Sequence, residues 1–531
     1  MNMLQPSTEQ EATKDKWIAN LCARLEAYET ADAAPFGPLI IAFGLYILIV
    51  FALSFRPLWH DELYTYYIAK SPTIPRFITE VTRLDLQPPL QYVLSRMSLK
   101  LFGDSDLATR LPNLVVFTVG SICFYLFVRR RLGRFYALTA MLVFWLTPFL
   151  QYATEARPYA LVLGFLSVAM LGWQAATEGQ GRRLGLFGLA FGVWGMLVSQ
   201  AFSPLLVAIL GVAELVRSVD RRKIDWPIWI ALVASSPFVI VYIPIFRRFE
   251  GWTALPPEFQ ASIFKIITFY EDLLSAVSIV LLIALIAALI VYRSSGVSSR
   301  ATVFVVHKHE VALALGLLSL PILINLALMR TGGAFWPRYC IPAGIGFSLL
   351  LIYILAKLTN ASRAAAAVAA ACVFLGMITG IALQIAHPRE RPMVRELSLK
   401  QLDSRLPLVA SSGLTFLEMN KREGAELLSH VFYLTDRDAA IRYAHATIFE
   451  GTGNLRAYWP IFGTVTPYRD FIRQTPDFYV LGTPDYPEDW LIPKLLDDGA
   501  ELQFKGELSS GYKDHMIFEV TLPAPKTSPQ R

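Results

Sequence analysis

Long apolar runs separated by short polar stretches dominate residues 39–386 of the chain. Their length and composition predict helices that cross a bilayer, with edges good to a few residues. The runs lie near residues 39–55, 107–128, 135–151, 158–176, 184–200, 203–216, 227–246, 273–292, 311–329, 339–358 and 364–386. The pattern therefore predicts an α-helical multi-pass membrane protein with about eleven transmembrane helices.

The hydrophobic pattern changes on both sides of these runs. Residues 1–36 are polar, and apolar positions at helical spacing over 7–30 follow a possible capping box at Ser7 to Gln10, which predicts a short amphipathic helix on the cytoplasmic face. From 388 to 531 short β-rich runs alternate with helical stretches such as 414–429, which predicts a soluble α/β domain. The strand candidates are "PLVAS", "HVFYLT", "DFYVLG", "LQFKGEL" and "MIFEVTL".

Positive charge predicts the orientation of the chain, because cytoplasmic loops carry an excess of Lys and Arg. Alternate loops hold "RRRLGR", Arg182 and Arg183, "RSVDRRK", the group Arg293, Arg300 and Lys308, and the pair Lys357 and Arg363. The N-terminus is therefore expected inside. After an odd number of spans, the α/β domain and the long loop of residues 56–106 are expected outside. Two apolar segments of this loop, "IPRFITEVTRL" and "PPLQYVLSRMSLKLFG", predict helices that lie along the membrane.

Composition supports the membrane assignment and excludes other classes. Of 531 residues 54% are hydrophobic and only 17% charged, and the mean hydropathy is +0.45. A net charge of +6 on such a chain reflects its cytoplasmic loops, so a nucleic-acid partner is not indicated. The cysteines have neither the spacing of a zinc site nor that of a disulfide framework; they are Cys22, Cys123, Cys340 and Cys372.

The first candidate for chemistry is "PLWHDELYTYYIAK" at 57–70, where His60, Asp61 and Glu62 directly follow the first span. A carboxylate at a membrane edge can be tuned to take a proton, so Asp61 is a candidate general base. The competing interpretation is that Asp61 caps the helix that follows, and spacing alone leaves the two about even.

Three further motifs fall in loops on the same predicted side. "RLDLQPPLQY" places Asp85 before two prolines, where it caps a helix or shapes a polar cavity. "QYATEARPYAL" carries Glu155, Arg157 and Tyr159, which form either a solvated turn or part of a site. "RTGGAFWPRYCIP" brings Arg338 and Tyr339, which serve as interfacial anchors or as ligands of a phosphate. Agreement of all four motifs on one side favours a site.

Together, "WHDELYTYY", "LDLQPPLQYVLSR", "LFGDSDLATRLPNLV", "EARPYAL" and "WPRY" resemble the membrane glycosyltransferases of the GT-C class. The similarity is to the branch with protein O-mannosyltransferases, the aminoarabinose transferase for lipid A and rhizobial galacturonosyltransferases. It is strong over residues 55–165, thinner through the other spans and weak in the outer domain.

The resemblance implies transfer of a sugar from a polyprenyl-phosphate carrier to an acceptor hydroxyl at the outer membrane face. Asp61 matches the acidic residue of the first outer loop and is expected to take the acceptor proton, with Glu62 positioning or tuning it. Arg157 and Arg338 are expected to stabilise the departing phosphate, and Tyr339 to donate a further hydrogen bond.

The remaining expectations concern the cavity, the lipid and the metal. Glu155 is expected to bind sugar hydroxyls, orient Arg157 or join Asp61 at a divalent cation, so metal dependence stays open. His60, Asp85 and Tyr159 are expected to line the substrate cavity. Apolar grooves between spans would hold the lipid tail. The resemblance also implies a bacterial inner membrane and an envelope glycan, lipid or protein as acceptor.

Two other functions compete with this hypothesis. A lipid or solute transporter or flippase suits many spans, but it predicts ionisable groups deep inside them and paired halves. A catalytically silent scaffold for envelope assembly is opposed only by the resemblance itself.

Overall fold

The structure is a computed structural model that describes residues 37–83, 87–179, 181–241, 260–294, 306–386, 396–397, 399–445, 461–483, 489–508 and 515–523, together with Asn20 and Arg24. The amphipathic helix predicted over 7–30 lies outside the described residues apart from those two. So does Asp85.

A helix or a pair of helices occupies each of the eleven ranges predicted to cross the membrane. These helices are α1 (Gly37–Ser54), α5 (Asp106–Leu132), α6 (Arg134–Leu146), α7 (Tyr159–Glu178), α8 (Arg182–Leu197), α9 (Ser203–Arg221), α10 (Trp226–Val233), α11 (Ile263–Ser275), α12 (Ser278–Ser294), α13 (Lys308–Leu318), α14 (Leu320–Thr331), α15 (Ala343–Leu358) and α16 (Arg363–Ala386). Short 3₁₀ helices extend or precede some of them at Pro148–Thr154, Ser236–Val241 and Pro337–Cys340.

Within the described ranges, four helices are long and apolar enough to cross a membrane as single straight spans: α1, α5, α7 and α16. Three further pairs pass the same test together but are bent by 48° to 81°, which gives up to seven spans if each pair is one span. The predicted total of about eleven therefore stays a prediction, since several of the other helices are short.

The sharpest of these bends shapes the site. Helix α6 ends at Leu146, and the 3₁₀ helix Pro148–Thr154 leaves it at 81°, so the straight span predicted over 135–151 is broken. The cause is Pro148, because a residue before proline is disfavoured in the α conformation. Thr147 accordingly adopts an extended conformation with ψ of 157°. The turn places residues 155–158 directly before the start of α7.

Close packing between α7 and α8 depends on small residues. A Cβ atom on Gly172 would lie 2.5 Å from the backbone nitrogen of Leu189, and one on Gly185 would lie 2.6 Å from that of Ala176. Only glycine allows backbones this close, as is common where apolar helices pack in membranes. Substitution of either glycine would therefore force α7 and α8 apart.

The long loop after α1 folds into three helices, α2 (His60–Ala69), α3 (Ile74–Arg83) and α4 (Leu90–Phe102). The two predicted loop helices correspond to α3 and α4. Trp59, in an extended conformation, is the N-cap of α2, and its backbone N–H donates to Glu62 Oε2 at 3.3 Å. Asp61 is therefore inside the first turn and does not cap the helix.

The C-terminal part contains a seven-stranded mixed sheet in the order β1-β6-β7-β5-β2-β3-β4. Its strands are β1 (Glu396–Leu397), β2 (Leu408–Ala410), β3 (Val431–Thr435), β4 (Thr464–Pro467), β5 (Asp477–Gly482), β6 (Glu501–Leu508) and β7 (Met516–Thr521). Strands β5, β2, β3 and β4 are mutually parallel, whereas β7 runs antiparallel to β5 and β6. The five predicted strands correspond to β2, β3, β5, β6 and β7.

Short helices cover the two faces of this sheet. They are α17 (Gly413–Arg422), α18 (Ala425–Leu428), α19 (Arg437–Ala439), α20 (Tyr468–Gln474) and α21 (Leu491–Asp497), with a 3₁₀ turn at Leu399–Gln401 and a π turn at Ala440–Ala444. The helix predicted over 414–429 is divided between α17 and α18.

One apolar core joins this domain to the long loop after α1. Leu63, Tyr67 and Ile68 of α2 are buried in the same cluster as Leu414 and Leu417 of α17. A separate cluster fills the other face of the sheet. The helix that carries Asp61 and Glu62 is therefore packed between the apolar helices and the C-terminal domain.

Candidate active site

Asp61 lies in the first turn of α2, where its carboxylate meets side chains from two distant segments. Asp61 Oδ2 accepts a 2.6 Å hydrogen bond from Arg338 Nη1, and Arg157 Nε lies 3.9 Å from the same oxygen. The Asp61 side chain keeps 18% of its surface exposed. The structure thus brings together an acid and two guanidiniums that lie far apart in the sequence.

Arg157 is held by its backbone as well as by its side chain. It follows the 3₁₀ helix Pro148–Thr154, and its carbonyl accepts a 2.5 Å hydrogen bond from Asn113 Nδ2. Asn113 in turn accepts one from Gln91 Nε2 at 2.8 Å, and both amides are fully buried. Arg157 Nη1 also donates to the backbone carbonyl of Asp61 at 3.3 Å. The guanidinium is therefore fixed beside α2 before any ligand binds.

Glu62 points elsewhere, although it is adjacent to Asp61 in the sequence. Its carboxylate is fully buried and accepts two hydrogen bonds from Arg110, Nε to Oε1 at 2.7 Å and Nη2 to Oε2 at 2.6 Å. The backbone N–H of Ala156 donates to Oε1 at 2.8 Å. Neighbouring residues on a helix do not face each other, so the Glu62 carboxylate faces Arg110 and Ala156 in the interior while the Asp61 carboxylate meets Arg338.

Arg110 makes this buried pair into a junction of four segments. Besides Glu62, its guanidinium donates to the carbonyls of Ser54, Arg56 and Pro57 at 2.8, 2.5 and 3.0 Å. These carbonyls form the exit of α1, and Ala156 belongs to the loop before α7. The pair therefore ties α1, α2, α5 and the Arg157 loop together.

Glu155 has a buried carboxylate that is only partly paired. It is 7% exposed, and its Oε1 lies 3.7 Å from Arg56 Nη2. Among the described residues Oε2 is buried without a hydrogen-bond partner. Burial raises the pKa of Glu155 to about 7, although Arg56 opposes the shift. Such a carboxyl can accept a hydrogen bond or a proton near neutral pH.

Arg338 and Tyr339 lie on the 3₁₀ helix Pro337–Cys340, at the start of α15. The Arg338 guanidinium lies over the Trp336 ring, with its Cζ atom 5.0 Å from the ring centroid. The Tyr339 ring packs against Phe202, with centroids 4.6 Å apart.

Of the three residues predicted to line the cavity, the structure describes the side chain of Tyr159 but not those of His60 and Asp85. Tyr159 is buried at the start of α7, next to Tyr152, and its hydroxyl has no hydrogen-bond partner within the described part of the chain. His60 begins α2, but its side chain lies outside the described atoms. Asp85 is not among the described residues, so its predicted place stays a prediction.

Sequence reasoning missed Arg56 and Arg110. Arg110 lies inside the quoted motif "LFGDSDLATRLPNLV" near the start of an apolar helix, and an ionisable residue there needs a buried partner. Arg56 precedes Pro57 directly, and its Nη2 lies 3.8 Å from Glu62 and 3.7 Å from Glu155. Both arginines were detectable as charges at span ends.

The charges of the site suit an anion. Four guanidiniums, Arg56, Arg110, Arg157 and Arg338, surround three carboxyls, and one of these carboxyls titrates near neutral pH. The charge of Arg110 is paired with that of Glu62, so the other three arginines provide the positive charge of the site. Within the described residues no group of three or more His, Cys, Asp or Glu side chains is placed to hold a metal ion.

A protein-family model described as dolichyl-phosphate-mannose-protein mannosyltransferase matches residues 86–244. The resemblance to GT-C glycosyltransferases is confirmed. The matched segment contains Arg110, Glu155 and Arg157, but neither Asp61 nor Arg338. No curated protein is significantly similar to the chain in sequence.

Solved structures of ArnT from Cupriavidus metallidurans are also similar to the chain. The form bound to undecaprenyl phosphate has a TM-score of 0.45 and 12% identity, over 92% of this chain and 98% of that one. The apo form has a TM-score of 0.41 and 12% identity, over 91% and 98%.

Proposed function

We propose that this chain is an integral membrane glycosyltransferase that moves a sugar from a polyprenyl-phosphate donor to an acceptor hydroxyl. The observation that carries the proposal is the contact of Asp61 with Arg338 at 2.6 Å, with Arg157 beside it. An acid that takes a proton and guanidiniums that hold a phosphate are the two groups this reaction needs.

In the proposed reaction the acceptor oxygen attacks the anomeric carbon while its proton passes to Asp61. The bond between that carbon and the phosphate oxygen breaks, and polyprenyl phosphate leaves with both electrons of the bond. Attack from the opposite side inverts the configuration. Asp61 keeps part of its surface exposed, so an acceptor hydroxyl has a route to the carboxylate.

Negative charge grows on the phosphate as it leaves, and positive charge must already be in place to stabilise it. Arg157 is 5% exposed and Arg338 is stacked on Trp336, so neither has to be ordered during the reaction. When the donor binds, the Arg338 guanidinium would weaken its hydrogen bond to Asp61 and form one to the phosphate. Tyr339 and the more exposed Arg56 are further candidates for phosphate contacts.

The lipid tail requires an apolar surface close to these arginines. A groove of about 480 Å³ runs between α8, α9 and α10, and its lining includes Leu197, Pro204, Trp229 and Leu232. Leu197 and Pro204 flank Phe202 in the sequence, and the Phe202 ring packs on Tyr339. We infer that part of a polyprenyl chain lies in this groove, with its phosphate near Tyr339 and Arg338.

Glu155 supplies the remaining polar contact. Its unused Oε2 is buried, so it would accept a hydrogen bond from a sugar hydroxyl that enters the site.

The proposal includes a bacterial inner membrane, with this site and the C-terminal domain on the periplasmic face, and an envelope glycan, lipid or protein as acceptor.

The direct test uses the purified protein in lipid vesicles with radiolabelled polyprenyl-phosphate sugars and an envelope acceptor fraction. We expect labelled product that depends on both donor and protein. The matched control is Arg130→Gln, at a partly exposed cation on the opposite end of α5, which should retain activity. Movement of label across the vesicle without product would instead support a lipid transporter.

A further inference from the structure

The helix that carries Asp61 is anchored at each end by the membrane part of the protein. At its start Glu62 is bonded to Arg110. At its end Arg96 Nη1 donates to the carbonyls of Ala69 and Ser71 at 2.8 and 2.6 Å. Each anchor is a single arginine side chain, so the tilt of α2 still depends on its other contacts.

The C-terminal domain supplies those contacts through α17. The Tyr67 hydroxyl donates a buried 3.1 Å hydrogen bond to the carbonyl of Leu417. The two helices also share an apolar core that contains Leu63 and Ile68 from α2 and Leu414 from α17. A segment some 350 positions away in the sequence thus packs directly on the helix of the proposed base.

A charged cluster completes this interface. Lys421 Nζ of α17 lies 3.6 Å from Asp104 Oδ1, 3.5 Å from Asp106 Oδ1 and 4.2 Å from the centroid of the Tyr66 ring. Asp104 in turn accepts hydrogen bonds from Tyr66 Oη at 2.9 Å and from Lys70 Nζ at 2.5 Å. Lys421 is only 18% exposed, so these interactions are less screened than those of a free surface charge.

We propose that α17 positions Asp61, with Lys421 as the positioning residue through which the C-terminal domain holds α2. This inference rests on the proposed function, in which Asp61 is the base. Tyr67 lies six positions after Asp61, about 9 Å along a helix, so a tilt of about 6° at the interface moves Asp61 by about 1 Å. A displacement of that size can cost on the order of a hundredfold in rate.

The first test is the rate of sugar transfer by Lys421→Met, which removes the charge and keeps the length of the side chain. We expect kcat to fall by about tenfold, with the donor KM within about twofold, because Arg157 and Arg338 lie on other segments. Lys421→Arg should restore most of the rate. Lys505→Met is the matched control, since Lys505 pairs with Glu519 inside the sheet and should leave kcat unchanged.

The second test measures amide hydrogen exchange in residues 60–70. Faster exchange in Lys421→Met, but not in Lys421→Arg or Lys505→Met, is expected if α17 holds α2. Unchanged kcat and unchanged exchange in Lys421→Met would overturn the proposal. A loss of thermal stability with normal kcat would also overturn it, because that result means the interface only stabilises the domain.

The exchange measurement distinguishes failure of this inference from failure of the proposed function. If Asp61→Asn keeps full turnover, the base assignment fails while exchange still reports whether α17 holds α2. If Lys421→Met does not yield folded protein, Tyr67→Phe replaces it, since that change removes the hydroxyl that donates to the Leu417 carbonyl and keeps the buried ring. Like Lys421→Met, Tyr67→Phe should lower kcat and raise the rate of amide exchange in residues 60–70. Normal values of both would contradict the proposal.

Discussion

Asp61 and Glu62 are adjacent in the sequence but differ in burial and in bonding partners. Glu62 is fully buried and bonded to Arg110, whereas Asp61 meets Arg338 and stays partly exposed. Successive positions on a helix point about 100° apart, so a single residue step separates the structural carboxylate from the proposed base. The pair "DE" in the sequence does not show which residue has which role, because the partners come from distant segments.

Glu155 gives a prediction for stability against pH. Its pKa is about 7 in the folded protein and 4.5 without burial, so the folded state binds its proton more tightly. Between these values the unfolded chain ionises first, and stability falls as pH rises, by about 3 kcal/mol in all. Glu155→Gln removes this loss. We expect the Tm of the variant relative to the native protein to be higher at pH 8 than at pH 5, measured by thermal unfolding; an equal difference at both values would contradict the burial effect.

At the scale of elements, the ion pair of Glu62 with Arg110 fixes how α1, α2 and α5 meet. Removing one member of a buried pair leaves an uncompensated charge, which costs about 3 to 5 kcal/mol. We therefore expect Arg110→Met to lose most of its folded protein, measured by yield and thermal unfolding. Adding Glu62→Gln to Arg110→Met should recover part of the loss.

Arg56→Met is the control for that experiment, because the Arg56 side chain is 37% exposed and its ion pairs are 3.7 and 3.8 Å long. It should cost less than about 1 kcal/mol. A similar loss in Arg56→Met and Arg110→Met would mean that the buried pair has no special role in the junction.

Local patterns in the sequence predicted most of the elements but not how they pack against one another. The strand "DFYVLG" corresponds to β5 in full, and each predicted span contains helix. The bend at Thr147 was not predicted, although Pro148 was its signal. The bonds of Arg110 and the contact of Tyr67 with Leu417 join residues 48 and 350 positions apart, and no local pattern records such pairings.

At the scale of the whole molecule, the site requires that α2, the Arg157 loop and the α/β domain lie on one side of the membrane. The alternate loops rich in arginine must then lie on the other side. In a cysteine-free background, Ser429→Cys on the exposed surface of the C-terminal domain should react with an impermeant maleimide in intact spheroplasts. Lys223→Cys should react only after permeabilisation. Labelling of both in intact spheroplasts, or of neither, would contradict the predicted orientation.

The central claim is that Asp61 takes the acceptor proton, and the turnover of Asp61→Asn tests it most directly. Asparagine keeps the shape of the side chain but cannot act as the base, so kcat should fall by at least about a hundredfold, the range of general-base effects. Binding of the polyprenyl-phosphate donor should stay within about threefold of the native protein, because Arg157 and Arg338 remain. Near-native turnover by Asp61→Asn, with the protein folded and the donor bound, would contradict the account.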